Sequence, residues 1–337
     1  MNMTRRAMLV RTAALAGASA LGFPMVGRAA NASYTYGGSA WLGHYSAYIA
    51  MKTGLFAKQG LDIKWQSFAT SSDRMSAVMA GNIDLAGTGV VSSLALMAAG
   101  ARQFQVIATP NNFGRAEGVL VRDDVKSVAD LKGKKIGVTY ASSAHVLLLD
   151  VLRQAGLDPD RDVSIINLPA TNLLSAYQGK QIDAAVAWTP AFDRIKAVPG
   201  THVLLDDTAF SLYKQYAITP GPDVLLTHAK LGRENPEAVK KFLHAVFEAN
   251  AMLSQQPDEA ASVLLELTGL SRDEQLAVIK QTQWYSAADQ KGLMVEPGNF
   301  VTGMQQLAEM LVSLKQIDKA PQVKDWVQAS YLPAATR

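Results

Sequence analysis

The chain has 337 residues, 49% of them hydrophobic and 18% charged, with a formal net charge of +3 and no cysteine. Such a balance describes a globular chain long enough to bury more than one core, so two lobes are expected. The absence of cysteine excludes disulfides, thiolate nucleophiles and thiolate metal sites; no cofactor or metal is expected.

The positive charge is concentrated at the start. Residues 1–32 contain Arg5, Arg6, Arg11 and Arg28 and no acidic residue, so without them the chain holds 28 basic against 29 acidic residues. A net charge near −1 leaves no electrostatic footprint for nucleic acid. The segment reads as an export signal: Arg5 and Arg6, a small-residue apolar run from Thr12 to Val26, and Ala30, Asn31, Ala32 as an A-x-A cleavage pattern. The paired arginines resemble a twin-arginine signal, although Arg11 interrupts the apolar region and ordinary secretory export is the alternative. No later stretch approaches the roughly 20 apolar residues of a membrane-spanning helix.

From residue 33 strands and helices alternate. Residues 33–38 read as a strand, 44–58 as a helix stopped by Gly60, 61–68 as an alternating strand, 73–80 as a helix ending at Gly81 and 83–87 as a short strand. A helix over 90–99 closes at Gly100 and the strand FQVIATP follows. This βαβ grammar implies a mostly parallel sheet with helices on both faces. It starts again with a helical turn at 127–131, a strand at 134–140, a helix at 143–154 and a strand at 163–168. A helix through Ala176, the strand 182–188, a helix opening at Thr189 and Pro190, and the strand THVLLD complete the second series. EGVLVRDD at 117–124 and GPDVLLTHAK at 221–230 read as two crossings between lobes. The expected division is therefore a signal at 1–32, a first lobe from 33–118 and 224–337, and a second lobe from 119–223. The remainder is helical, with Asn235 and Pro236 opening one helix, a Ser271/Glu274 capping box starting another and a long pattern over 300–314.

In open parallel sheets ligands gather at the carboxyl ends of the strands, where the next helices point their N-termini. Turns at 37–44, 87–89, 141–145 and 188–190 fall there, so Thr88, Ser142 and Ser143 are candidate contacts, the two serines for an oxyanion. Capping of the helix is the competing role for that serine pair. Gly87-Thr88-Gly89 lacks the third glycine of a dinucleotide fingerprint. Glu117 and Asp223, near the starts of the crossings, would repel one another unless a cation sat between them, and a primary ammonium supplies three donors. Trp41, His44 and Tyr45 follow the first strand and Trp188 ends a strand of the other lobe, where its flat face could cover a ligand's hydrocarbon. His145 sits in the first turn of a helix expected to face the cleft, whereas Trp65 and Trp326 read as packing residues. The five histidines have no metal-ligand spacing and no G-x-S-x-G elbow occurs, so no catalytic residue is expected.

The stretches YIAMKTGLFAKQGLDIKW, AGNIDLAGTG, SVADLKGKKIGV and QGKQIDAAVAWTPA, in that order, resemble the sulfonate, nitrate and taurine group of ABC-type periplasmic binding proteins. The resemblance implies a type II periplasmic binding protein fold, α/β, with two Rossmann-like lobes joined by two crossing strands and the ligand in the cleft. It also implies a periplasmic monomer that delivers a small zwitterionic or sulfonate solute to an ABC permease of the inner membrane. Within the group the chain is most similar to taurine-binding proteins, through AEGVLV, GPDVLL, GVTYASSAHVLLL and INLPATNLLSAYQGKQIDAAVAWTPA. Carried over, Glu117 and Asp223 would hold the amine, the turn Ser142 to His145 the sulfonate, and Trp188 the wall. The first cleft loop, GGSAWLGHY, is bulkier than the taurine type, which leaves N-substituted taurines, other alkanesulfonates, nitrate-like anions and amino acid analogues open. The alternative of another class is an enzyme like the thiamine-pyrimidine synthases of the same fold, against which the missing cysteine and the export signal argue; a sensory binding protein is a third.

Overall fold

A computed structural model describes residues 32–295 and 298–333. All but the last residue of the expected export signal lies outside the described residues. In chain order the strands are Ala32–Gly38 (β1), Leu61–Ser67 (β2), Leu85–Gly89 (β3), Phe104–Ala108 (β4), Asn111–Asn112 (β5), Glu117–Arg122 (β6), Lys135–Val138 (β7), Ser164–Asn167 (β8), Ala184–Trp188 (β9), Thr201–Asp206 (β10), Asp223–His228 (β11) and Gln283–Trp284 (β12). They form two five-stranded sheets, ordered β2-β1-β3-β11-β4 and β10-β6-β9-β7-β8, and a small β12-β5 ladder. This is the two-lobed α/β architecture expected from the sequence.

Each sheet carries one strand running against the others, and the reason is the crossing itself. β1 pairs in parallel with β2 and β3, and β7 with β8 and β9. β11 is antiparallel to β3 and β4, and β6 is antiparallel to β9 and β10. A chain arriving from the other lobe enters at the cleft edge, where the parallel strands end, and must run away from it. The first residues of β6 and β11 therefore stand beside the last residues of their neighbours: Glu117 pairs with Trp188, and Asp223 with Gly89. The crossings expected at 117–124 and 221–230 end at these strands; residues 109–116 and 207–222 do the spanning.

Helix boundaries follow local chemistry. Thr70 accepts from the Asp73 N–H, Ser142 from the His145 N–H and Asn235 from the Ala238 N–H, each satisfying a first-turn donor, and Ser271 with Glu274 forms the expected capping box. One expected helix, 44–58, is two, Tyr45–Lys52 and Leu55–Lys58, because Gly54 at φ 77° turns the chain between them. Trp326 lies in a short 3-10 turn, under the Arg102 guanidinium.

One buried cluster runs from the helix Val90–Ala98 through Ser143–Gln154 to Asn299–Ser313, joining both lobes, while separate clusters back the outer faces of the sheets. Burying one such leucine contributes roughly 1.5–3 kcal/mol. The first crossing is clamped from behind. Asn250 donates through Nδ2 to the carbonyls of Pro110 and Tyr285 at 2.8 and 2.7 Å, and Gln290 Nε2 donates to Thr109 O at 2.9 Å. Among the described residues no helix is long and apolar enough to cross a membrane.

Candidate ligand-binding site

The two crossings deliver carboxyl groups to one place. Glu117 and Asp223 are each only 1% exposed, so the cleft is closed over them. Asp223 accepts from Trp41 Nε1 at 2.9 Å through Oδ1 and 3.0 Å through Oδ2, and the Trp41 ring is steadied edge-on against Phe113. Glu117 Oε2 accepts from Ser143 Oγ at 2.5 Å, and its Oε1 has no donor among the described residues. Burial pushes Glu117 up to about 8, opposed by the Ser143 hydroxyl. Burial likewise pushes Asp223 up to about 7, with the Trp41 N–H pulling the other way. Two carboxyls held out of water with so few donors bind either protons or a cationic ligand.

Beneath Asp223 lies a buried polar cluster. The His44 ring sits 3.0 Å through Nδ1 from the Tyr36 hydroxyl, while its Nε2 has no partner among the described residues. Burial, and then the charge of Arg74, hold His44 well below its usual range, so the ring is neutral. Arg74, 3% exposed, donates from Nε to Gly87 O at 2.6 Å and from Nη2 to Ser71 Oγ at 3.1 Å, and makes no ion pair among the described residues. Its charge acts on Asp223, Tyr36 and His44 together. Glycine is required at Gly87, where a Cβ would come 2.6 Å from the Tyr36 hydroxyl and 2.7 Å from His44 Nδ1.

The other sequence candidates divide. Thr88 is buried, 3.1 Å from Ser92 Oγ, in the β3 edge beside Asp223. Trp188 is half-buried at the end of β9, directly across from Glu117. Ser142 is occupied as the helix cap and by donating to Thr139 O at 2.6 Å, and Ser143 by Glu117, so both hydroxyls expected at a sulfonate already have partners. Tyr45 stacks on Trp284 and, with Trp41, Thr189 and Pro190, lines a cavity of about 20 Å³ between the lobes, room for about one water. His145 is not brought to the carboxyls. It stacks on Tyr140 with ring centroids 4.6 Å apart and lines a separate groove with Arg153, Asp158 and Lys315. The first turn of a helix places a side chain by its rotation about the axis, and that rotation turns Ser143 to Glu117 and His145 away.

Comparison with known proteins agrees with this architecture. The model of the family described as NMT1/THI5 like matches residues 41–260. The chain belongs to the NMT1/THI5-like family. A relative from Brucella abortus (strain 2308), named as a binding protein, is 30% identical over 288 residues, 85% of this chain and 86% of its own. The taurine-binding periplasmic protein of Escherichia coli (strain K12) is 26% identical over 260 residues, 75% of this chain and 79% of its own. The crystal structure of the periplasmic aliphatic sulphonate binding protein SsuA from Escherichia coli superposes with a TM-score of 0.76 at 24% identity, covering 90% of this chain and 95% of that one, a likeness of fold.

Three groups at this candidate site were not singled out from the sequence: Tyr36, Arg74 and Asp207. Tyr36 reads as one alternating strand residue and Arg74 as one charge in a helix. Asp207 is 0% exposed, and neither of its oxygens has a donor among the described residues. The only sequence signal at Asp207 is the pair Asp206-Asp207 directly after an apolar strand, which resembles any solvated turn.

Proposed function

We propose that this chain is a periplasmic solute-binding protein that captures a small amine-bearing sulfonate, taurine or a close relative, and hands it to an ABC permease of the inner membrane. The observation that carries this reading is the approach of Glu117 and Asp223, one from each crossing, in a closed cleft that supplies them few donors among the described residues. An ammonium donates to both carboxylates at once, and its charge offsets the cost of ionising them there. Arg74, buried without an ion pair among the described residues, and His44 Nε2, likewise without a partner among them, favour an anionic group at the other end of the solute. A zwitterion complements both. The relatives named above are binding proteins, two of them for taurine and aliphatic sulphonates, which supports capture rather than catalysis. Closure over the solute is a hinge motion whose equilibrium follows the differential affinity of the closed form.

The neutral forms of Glu117 and Asp223 define the competing reading, in which protonated acids donate to a sulfonate that carries no amine. Thermal unfolding of the ligand-stripped chain from residue 33 separates the two, with taurine, ethanesulfonate, sulfate, nitrate and small amino acids as probes. A ligand at about 100 times its dissociation constant stabilises the native state by roughly 2.7 kcal/mol, a shift of several degrees. Stabilisation by taurine and not by ethanesulfonate is expected; equal stabilisation by both refutes the amine site, and none by either refutes the ligand class.

A further inference from the structure

Asp207 stands against Glu117 because of a register shift. β10 pairs with β6 from Thr201↔Arg122 to Val203↔Leu120, then slips by one residue at a bulge and resumes at Leu205↔Val119 and Asp206↔Gly118. One step further brings Asp207, rather than Asp206, opposite Glu117, whose other neighbour is Trp188. The register sets the two residues side by side, and each acts on the other's ionisation. Glu117 Oε1 and both Asp207 oxygens are buried without any donor from the described residues. Two carboxylates cannot hydrogen bond to each other; a carboxylic acid and a carboxylate can.

We infer that Asp207 is a further specificity-determining residue of the ligand site, a buried carboxylic acid that keeps its proton when the ligand's ammonium is bound, donates it to Glu117 and leaves Glu117 as the one charged member of the pair. The inference rests on the reading above, in which Glu117 meets an ammonium. The groups around the pair assign the proton. Glu117 already has the Ser143 hydroxyl as donor, so its negative charge is supported. Asp207 has no such donor among the described residues, and Asp206 beside it is engaged elsewhere, by the Thr208 N–H and by Arg115 at 3.9 Å. Burial, Glu117 and Asp206 all oppose ionisation of Asp207. An apolar, anion-facing site is what keeps a carboxylic acid neutral near pH 7 so that it can serve as a donor. The consequence is electrostatic: with Asp207 neutral, an ammonium meets two carboxylates, Glu117 and Asp223, whereas an ionised Asp207 would add a third negative charge to the same buried site.

Calorimetric titration of the chain from residue 33 with taurine and with ethanesulfonate, at pH 7.5, tests this with Asp207→Ala, Asp207→Asn and Glu117→Gln. Asp207→Ala removes the donor to a charged oxygen and should weaken taurine binding by roughly tenfold or more. Asp207→Asn restores a neutral donor and should recover affinity to within about threefold of the parent protein. Glu117→Gln loses the charge, and its taurine affinity should fall below that of Asp207→Asn. Infrared difference spectra of the taurine-saturated parent chain against taurine-saturated Asp207→Asn should show the carbonyl stretch of a protonated carboxylic acid, a readout that also serves if Asp207→Ala fails to fold. Equal losses for Asp207→Asn and Glu117→Gln would make Asp207 a second charged contact and overturn the inference, as would full taurine affinity in Asp207→Ala or absence of the acid band. If the parent chain binds ethanesulfonate as tightly as taurine, the amine reading itself fails, while the infrared band still reports on the proton at Asp207.

Discussion

Replacing Trp41 by phenylalanine isolates one hydrogen-bond donor at the ligand site. Phenylalanine keeps an aromatic face toward Phe113 but removes the Nε1–H that both Asp223 oxygens accept at 2.9 and 3.0 Å. A hydrogen bond to a charged group contributes about 1.5–3 kcal/mol, so the Asp223 pKa should rise from about 7 by roughly 1 to 2. Binding of an ammonium then requires removal of a proton that the parent protein has mostly lost. The resulting loss of taurine affinity works out at roughly 3- to 25-fold at pH 7.5, roughly 8- to 80-fold at pH 6.5 and only about 1- to 4-fold at pH 8.5. Calorimetric titration of both proteins at the three pH values reads this directly, with ethanesulfonate as the ligand that has no ammonium. A deficit of the same size at every pH, or one shared equally by ethanesulfonate, would refute the role of Trp41 as the group that holds Asp223 ionised.

Gly43→Ala should weaken taurine binding by roughly tenfold or more, about 1.4 kcal/mol, because a Cβ at Gly43 would lie 2.4 Å from the Asp223 carboxyl carbon and push that group from its place. An unchanged dissociation constant would show that Asp223 does not contact the ligand. Stability of the empty protein should fall as pH rises from about 6.5 to 8. Glu117 and Asp223, held up to about 8 and about 7, and Asp207, raised well above its usual range, keep protons in the folded state that the unfolded chain has released. Below about 6.5 the buried neutral His44 offsets one of these three protons, since only the unfolded chain takes up a proton there, and the fall continues down to the unfolded carboxyl range with a reduced slope. Thermal melts across pH, with and without saturating taurine, should show an alkaline fall of the order of a few kcal/mol in the empty protein and a smaller one, from Asp207 alone, in the complex. A flat profile without ligand would mean that the carboxyls are ionised in the closed cleft.

Much of the architecture was legible because it is written locally. Apolar periodicity, a cap such as Ser142 or Ser271 and a stopping glycine such as Gly60 or Gly81 each act within a few residues, and the alternation of strands and helices follows from them. The break at Gly54 escaped that reading because the helical periodicity of 44–58 continues on both sides of it. Glu117 and Asp223 stood out as acidic residues at the heads of apolar strands, and the strand directions carry both to the cleft edge.

The remaining features of the site depend on rotation and register, which no local pattern specifies. Ser143 and His145 share the first turn of one helix, yet only packing against the neighbouring sheet decided that the serine meets Glu117 and the histidine meets Tyr140. Arg74 became the cation beneath Asp223 through its approach to Gly87, a residue of a different strand. A single bulge in β10 made Asp207, rather than Asp206, the next residue in register toward Glu117. The amino-acid order settled the elements, their sequence and the two acidic heads of the crossings. Tertiary packing settled which polar groups touch, because shifting a strand by one residue or turning a helix by one position exchanges one buried side chain for another at almost no cost in local propensity.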